Sequence, residues 1–355
     1  MFNTDINTLF NSRDILKALD RISDNEAKPI SLIPFGSVVD IFDVITKKVL
    51  SNRVIEKIKE KKNIVLYNLE KYDRETGNLK FNGKFIIYKL PKYEFAYLVI
   101  TFEESDFFHR ELRPFIKSFY SEVILSFIKS NDLISLIENY QSSNGITEIK
   151  ITRASQRIRY HDESSMSTVT WNNSSLEEAY QWLRDNNGFF KSIQFKAYKF
   201  DFEVSNTFID RRGIIRVEKN FSRVFESLVV PNFKILDNYI RLFNNRGRRD
   251  NSLLKVRPLE INFQDELFKD KVNHGRFIQM LSLLDDTSVS VMHGNPYIHL
   301  SIVDYIDGSS YDMWVVDSKQ ILLVPQLRSS IISLKRLVNH IFDNYAEGEI
   351  LNHEA

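Results

Sequence analysis

The chain has 355 residues, 43% hydrophobic and 27% charged side chains, no cysteine and a formal net charge of +1. The missing cysteine excludes thiol nucleophiles, Cys-ligated zinc and iron–sulfur clusters, and it fits a reducing cytoplasm better than a disulfide-dependent secreted setting. The length exceeds what one hydrophobic core keeps filling, so two or three compact units are expected, and no apolar run approaches the roughly 18 residues of a membrane span, so no membrane partner is expected.

The near-neutral total hides an asymmetry. Residues 151–257 hold 19 Lys and Arg against 12 Asp and Glu, so this stretch is basic and the remainder acidic. Thirteen of those 19 cations are Arg. The planar guanidinium fork suits phosphate, whereas a surface serving solubility alone more often uses Lys.

The first unit is expected over residues 1–143. Its N-terminus has acids among its first residues and lacks a long apolar core, so no secretory signal is expected. A short amphipathic helix over 14–23 precedes the apolar stretch ISLIPFGSVVDIFDVI, and residues 52–62 read as a charged helix. The segments NIVLYNL, LKFNGKFIIYKL and YEFAYLVITF read as strands, with turns at Thr76-Gly77-Asn78 and Pro91-Lys92. Ser105-Asp106 then caps a long helix with a stripe of Leu112, Phe115, Ile116, Phe119, Val123, Ile124, Phe127 and Ile128.

Five turn-prone residues, QSSNG at 141–145, mark a boundary, and a basic unit is expected over 144–252. It opens with the strand ITEIKITRASQRIRYH. Ser174-Ser175 followed by Glu177-Glu178 reads as a capping box for a helix. Strands FFKSIQFKAYKFDFEVSN and GIIRVEK and a helix over 221–243 lead to the polar loop NNRGRRDN. The third unit, 253–355, reads as LLKVRPLEINF, a helix over 265–284, a three-stranded meander and a last helix capped by Ser329 or Ser330 and stopped by Gly348. Helices and strands come in clusters, so the expected class is α+β, multi-domain, with largely antiparallel sheets and packed helices.

Three groups of residues carry candidate chemistry. Arg153, Arg157 and Arg159, then Arg211, Arg212 and Arg216, then Arg246, Arg248 and Arg249 form islands that would track a phosphate backbone, with Tyr160, Trp171 and Trp182 as stacking partners for bases. Glu148 and Lys150 share one side of a strand, as the PD-(D/E)xK nucleases require, but the nearest upstream acid, Asp132, falls in or just after a helix. His293 and His299 with Asp304, Asp307 and Asp312 invite a metal centre, although strand alternation separates His299 from Asp304. The face of Asp304 is Ile298, Leu300, Ile302 and Ile306, so its carboxylate needs a partner, with Arg328 and Arg336 as the cations in the following helix. Asp307-Gly308 reads as a hairpin turn.

No P-loop, dinucleotide fingerprint or nucleophile elbow occurs in the chain. The expected function is a cytoplasmic nucleic-acid-binding or adaptor subunit, for DNA or RNA, of a larger nucleic-acid-processing or antiviral genome-defence complex with other protein partners. No cofactor is expected. The competing readings are a metal-dependent hydrolase of nuclease type, built on Asp304 or on Glu148 and Lys150, and a protein-interaction module without nucleic acid.

Overall fold

The structure is a computed structural model that describes residues 15–26, 29–37, 39–47, 52–93, 95–119, 122–158, 167–172, 174–186, 188–244, 258–294 and 297–351. It is 33% helical and 42% strand with antiparallel sheets, an α+β protein. Two compact units form. The first comprises Met1–Gln156, Val169–Leu183 and Phe190–Asn238, and the second comprises Arg157–Thr168, Arg184–Phe189 and Tyr239–Ala355. Residue 143 falls inside the first unit, and residues 251–257 lie outside the described residues.

The first unit begins with α1 (Ile15–Glu26), β1 (Ile30–Ser37), α2 (Ile41–Val44), β2 (Arg53–Lys61), β3 (Ile64–Tyr72), β4 (Leu79–Lys89) and β5 (Ala96–Thr101). A helical run follows: α3 (Ser105–Phe107), a π-helical segment Phe108–Leu112 and α4 (Arg113–Lys117). Then come β6 (Val123–Leu125), α5 (Ser130–Ser143), β7 (Glu148–Ile158), β8 (Ser167–Trp171), β9 (Ser174–Ser175), α6 (Leu176–Asp185), β10 (Phe189–Lys199), β11 (Phe202–Asp210) and β12 (Ile215–Glu218). Another helical run closes this part, with α7 (Phe221–Val224), a second π segment Phe225–Val229 and α8 (Val230–Asn244). The sheet order is β2-β3-β4-β5-β1-β12-β11-β10-β7-β8, with β6 on β1 and β9 on β7. The α6 capping box forms as the sequence predicts: Glu178 N donates to Ser175 Oγ at 3.1 Å and Ser175 N to Glu178 Oε2 at 2.9 Å.

Two expected helices are corrected. Residues 53–61 form an edge strand, because β2 pairs with β3 from Arg53↔Lys71 to Lys61↔Ile64 and its charges from Glu56 to Lys61 stay exposed. Tertiary pairing overrides helix propensity there. The long helix also breaks. Its buried pairs, Phe107-Phe108, Leu112 with Glu111, and Phe115-Ile116, recur every four residues. An α-helix needs about 3.6, so each repeat drifts by about 40° and a straight helix would turn the stripe away from the core. The π segment absorbs part of that drift. The chain then leaves the helix and Val123–Leu125 pairs with β1 through Phe35↔Leu125. Phe35, Tyr67, Phe85, Tyr97 and Phe115 pack under this run, with Phe35 and Tyr97 stacked at 5.4 Å.

The second unit contains β13 (Leu259–Phe263), α9 (Lys271–Ser282), β14 (Thr287–His293), β15 (His299–Asp304), β16 (Ser309–Val315), β17 (Gln320–Pro325), α10 (Ile331–Asn344) and β18 (Gly348–Leu351). The expected three-stranded meander is part of a six-stranded sheet, ordered β14-β15-β16-β17-β13-β18. The α9 helix starts later than expected, at the Asp270 cap, which accepts Asn273 N at 2.8 Å. Ser330 caps α10, accepting Ser333 N at 3.0 Å, but Gly348 opens a strand instead of stopping the helix.

Asp304 is buried at the end of β15 with Leu300 and Ile302 on its face. Its partner is Arg336, with Nη2 2.8 Å from Oδ1 and Nε 3.1 Å from Oδ2; Ser333 Oγ adds 2.7 Å and Ile306 N adds 3.0 Å. Arg336 also donates to Asp285 O and Thr287 Oγ1, so one ion pair ties α10 to both strands at the open end of the β14–β15 hairpin. Such a bidentate pair is strong when intact and costly when half removed. Asp304→Asn is expected to lower unfolding free energy by about 3 kcal/mol in urea denaturation; an unchanged midpoint would contradict the role given to the pair.

The β10–β11 hairpin turns on Phe200 and Asp201, whose φ values are 50° and 67°. Both residues of such a two-residue turn need positive φ, which Asn and Gly accept and a bulky side chain resists. Phe200 and Phe202 are nevertheless exposed there. Phe200→Asn is expected to raise stability by about 1 kcal/mol in the same urea titration, because it relieves backbone strain and gives up little burial.

Candidate polyanion-binding face of the first unit

Strands β7, β10, β11 and β12 bury one face, with Ala154 and Gln156, Ile193 and Phe195, Thr207 and Ile209, and Ile215 and Val217. The alternating side chains form the opposite, partly exposed face. Register sets its rows: Gln194, Phe208 and Arg216 lie side by side, as do Lys196, Asn206 and Glu218. Arg153 is exposed on the same side of β7. Gln194 Nε2 donates to Asn206 Oδ1 at 3.3 Å, and Asn206 Nδ2 to Glu218 Oε2 at 2.9 Å, so the face carries an ordered polar network.

One border of this face is built by the β11–β12 turn. Asp210 Oδ1 accepts Arg212 N at 2.9 Å and Ile214 N at 3.0 Å, and Gly213 N donates to Asp210 O at 2.8 Å. Gly213 has φ +73°, and a Cβ there would lie 2.4 Å from Asn232 Nδ2, the atom that donates to Gly213 O. Only glycine fits that position. The second oxygen of Asp210 accepts Arg113 Nη2 at 3.2 Å, which draws the C-terminal end of the π segment onto the turn. Burial pushes Asp210 above the usual carboxylate range, against the pull of Arg113 and the two amides.

The π segment contributes two further titratable groups in opposite directions. Glu111 is buried and held by Lys71 Nζ at 2.6 Å and Arg53 Nη2 at 3.3 Å. His109 is exposed, near Arg113, Arg216, Asp210 and Asp106, and Arg110 lies 3.7 Å from Asp106. Partial burial, then the nearby Arg113 and Arg216 charges, hold the His109 imidazole below its ordinary value of 6.5. Loss of water around the ring and the two guanidinium charges together disfavour a positive charge there, against the opposing pull of Asp210 and Asp106.

The predicted arginines fare differently. Arg216, Arg212 and Arg153 belong to this face or its border. Arg211 is buried, its guanidinium 4.4 Å from the Phe127 ring, and Arg212 lies 5.2 Å from the same ring. Arg157 belongs to the second unit and donates to Asn344 Oδ1 at 3.3 Å. Arg159, Tyr160, Arg246, Arg248 and Arg249 lie outside the described residues. Trp171 and Trp182 pack edge to face at 4.8 Å.

The other candidates do not assemble into a centre. Glu148 and Lys150 are exposed on β7, and Asp132 occupies the first turn of α5. His293 and His299 are cross-strand neighbours, and His299 stacks on Trp314 at 3.7 Å with Nε2 3.7 Å from Asp312 Oδ1. Asp304 faces the other side of β15, and Asp307 Oδ1 accepts Ser309 N at 2.9 Å in the turn. Among the described residues no three His, Asp or Glu side chains group as metal ligands, and no helix is long and apolar enough to cross a membrane.

No protein-family model matches the chain, and none of the curated proteins matches it in sequence.

Sequence reasoning missed His109, Arg113 and Asp210. The signal for the last was present as Asp210-Arg211-Arg212-Gly213, an acid three residues before a glycine between two strand patterns, which is turn chemistry. Because the folded His109 is held low, the stability it contributes is present above pH 6.5, its ordinary value, and is lost as pH falls from there through the lowered value. Thermal melts from pH 7 to pH 5 are expected to show a shallower acid-side loss for His109→Gln than for the parent; parallel curves would contradict the lowered proton affinity of His109.

Proposed function

We propose that the chain is a nucleic-acid-binding component, acting in the cytoplasm as an adaptor within a larger nucleic-acid-processing or genome-defence assembly, and that its first unit supplies the contact. The observation carrying this reading is the meeting of Arg113 and Arg216 beside His109 and Asp210, with Arg212 in the adjoining turn, next to a polar strand face that also holds Arg153. Arg113 Nε and Arg216 Nε are buried with no acceptor among the described residues. Phosphate oxygens entering the cluster would relieve those donors and meet several guanidinium groups at once.

The face runs lengthwise with its strands. From Asp210 to Phe202 is eight residues, about 26 Å at strand rise, long enough for several nucleotides to lie extended. Phe208 sits beside Arg216 near the Asp210 end, and Phe200 stands exposed at the far turn, so a strand laid along β11 meets one aromatic ring beside the cations and another at the turn. Membership of an assembly rests on the absence of a recognisable catalytic motif and is tested by what co-purifies.

Fluorescence anisotropy with single-stranded and duplex oligonucleotides is expected to show affinity falling steeply between about 50 and 200 mM salt. Arg216→Ala with Arg153→Ala is expected to weaken binding across sequences and to flatten the logarithmic salt slope by about 1 to 2. Absence of binding at the lowest salt, or a slope untouched by the double variant, would overturn the assignment.

A further inference from the structure

Among the described residues the sheet of the second unit ends at β14, and apart from a bulge between Val291 and His293 this edge lacks the devices that keep unpaired strands apart. On β2, an edge of the larger sheet, Arg53, Glu56, Lys57, Lys59, Glu60 and Lys61 fall within nine residues. At the opposite edge from β14, β18 is only four residues long and carries Glu349. The β8 edge is neutral but short, five residues, and its Trp171 is packed on Trp182. By contrast β14, Thr-Ser-Val-Ser-Val-Met-His, contains no Lys, Arg, Asp, Glu or Pro, and Ser290 to His293 are exposed. Charges, proline and shortness are what normally prevent edge-to-edge pairing. This strand has none of them.

We infer that β14 pairs antiparallel with β14 of a second copy of the chain, centred on Ser290, so that two six-stranded sheets continue across a two-fold axis. The composition of the strand suits that occupant. About a two-fold at Ser290 only Ser290 meets itself, Val289 faces Val291, and Thr287 and Ser288 face the Met292–His293 end, so no like charges are opposed. A partner recognised by charge would find no charge to read on this edge. The two-fold also matches apolar ends. Leu283, 71% exposed just before β14, comes toward the far end of the mate's strand, where Met292 is 63% and Tyr297 61% exposed. Val289 and Val291 lie on the helix-covered side, opposite Ile302 and Leu300, so pairing would also shield the half-open rim of that core.

The centre of the pairing gives the test. Ser290 is exposed, opposite Ser301 on the open side of the sheet, so a long charged side chain fits there without disturbing the core. In sedimentation equilibrium on the full chain, the parent is expected to show a reversible monomer–dimer equilibrium. Ser290→Lys and Ser290→Glu, each placing like charges face to face at the axis, are expected to raise the dimer dissociation constant at least about fivefold. An equimolar mixture of the two variants is expected to recover the parent's association or exceed it. A parent that stays monomeric at the highest soluble concentration overturns the inference. So does a dimer that both variants leave unchanged, or a mixture no tighter than either variant alone.

Discussion

A buried carboxylate at the end of β11 governs the first unit. Removed from water, Asp210 must find its hydrogen bonds in the protein, and it finds them in the amides of Arg212 and Ile214 and in the guanidinium of Arg113. Those bonds close the turn on Gly213, start β12 in register with β11 and pull the π segment against the sheet. They also determine which cations meet. Arg211 and Arg212 turn toward the Phe127 ring, whereas Arg216 and Arg113 lie beside His109. The same physical demand recurs independently in the second unit, where Asp304 is satisfied by Arg336, Ser333 and Ile306 N, but there the acid serves only to hold elements together.

The proposed face therefore follows from how the fold pairs its acids. A net charge near zero would suggest indifference to polyanions, yet two acids beside the face are paired internally: Asp210 with Arg113, and Glu203 with Lys196 and Lys219. The guanidinium groups remain concentrated at one border of an otherwise polar strand face. The strained Phe200 turn at the other end is an outlier of the kind that persists where a side chain is useful for something other than stability.

Much of the fold was legible in the sequence because its signals were local. Apolar runs marked β3, β4 and β17, period-two alternation marked β10 and β15, and the reciprocal Ser175–Glu178 bonds and the Ser330 cap formed as their residue types dictate. The failures share a cause. Residues 53–61 became a strand through pairing with β3, which no local signal encodes. The stripe after Ser105 was apolar at a spacing of four, a period that fits neither a straight α-helix nor a strand, and that mismatch is itself the mark of the π segment and the break before β6. The candidate face was half legible: Arg216, Arg212 and Arg153 could be named as cations, but their meeting with His109 and Arg113 depends on contacts nearly a hundred residues apart in the chain.

The most direct test of the account is hydrogen–deuterium exchange of the full chain with and without a mixed-sequence oligonucleotide at low salt. Nucleic acid on the proposed face would slow amide exchange along β10 to β12 and in the Phe108–Leu112 segment while leaving β14 to β17 unchanged. Protection confined to the second unit, or none anywhere at a saturating oligonucleotide concentration, would contradict it.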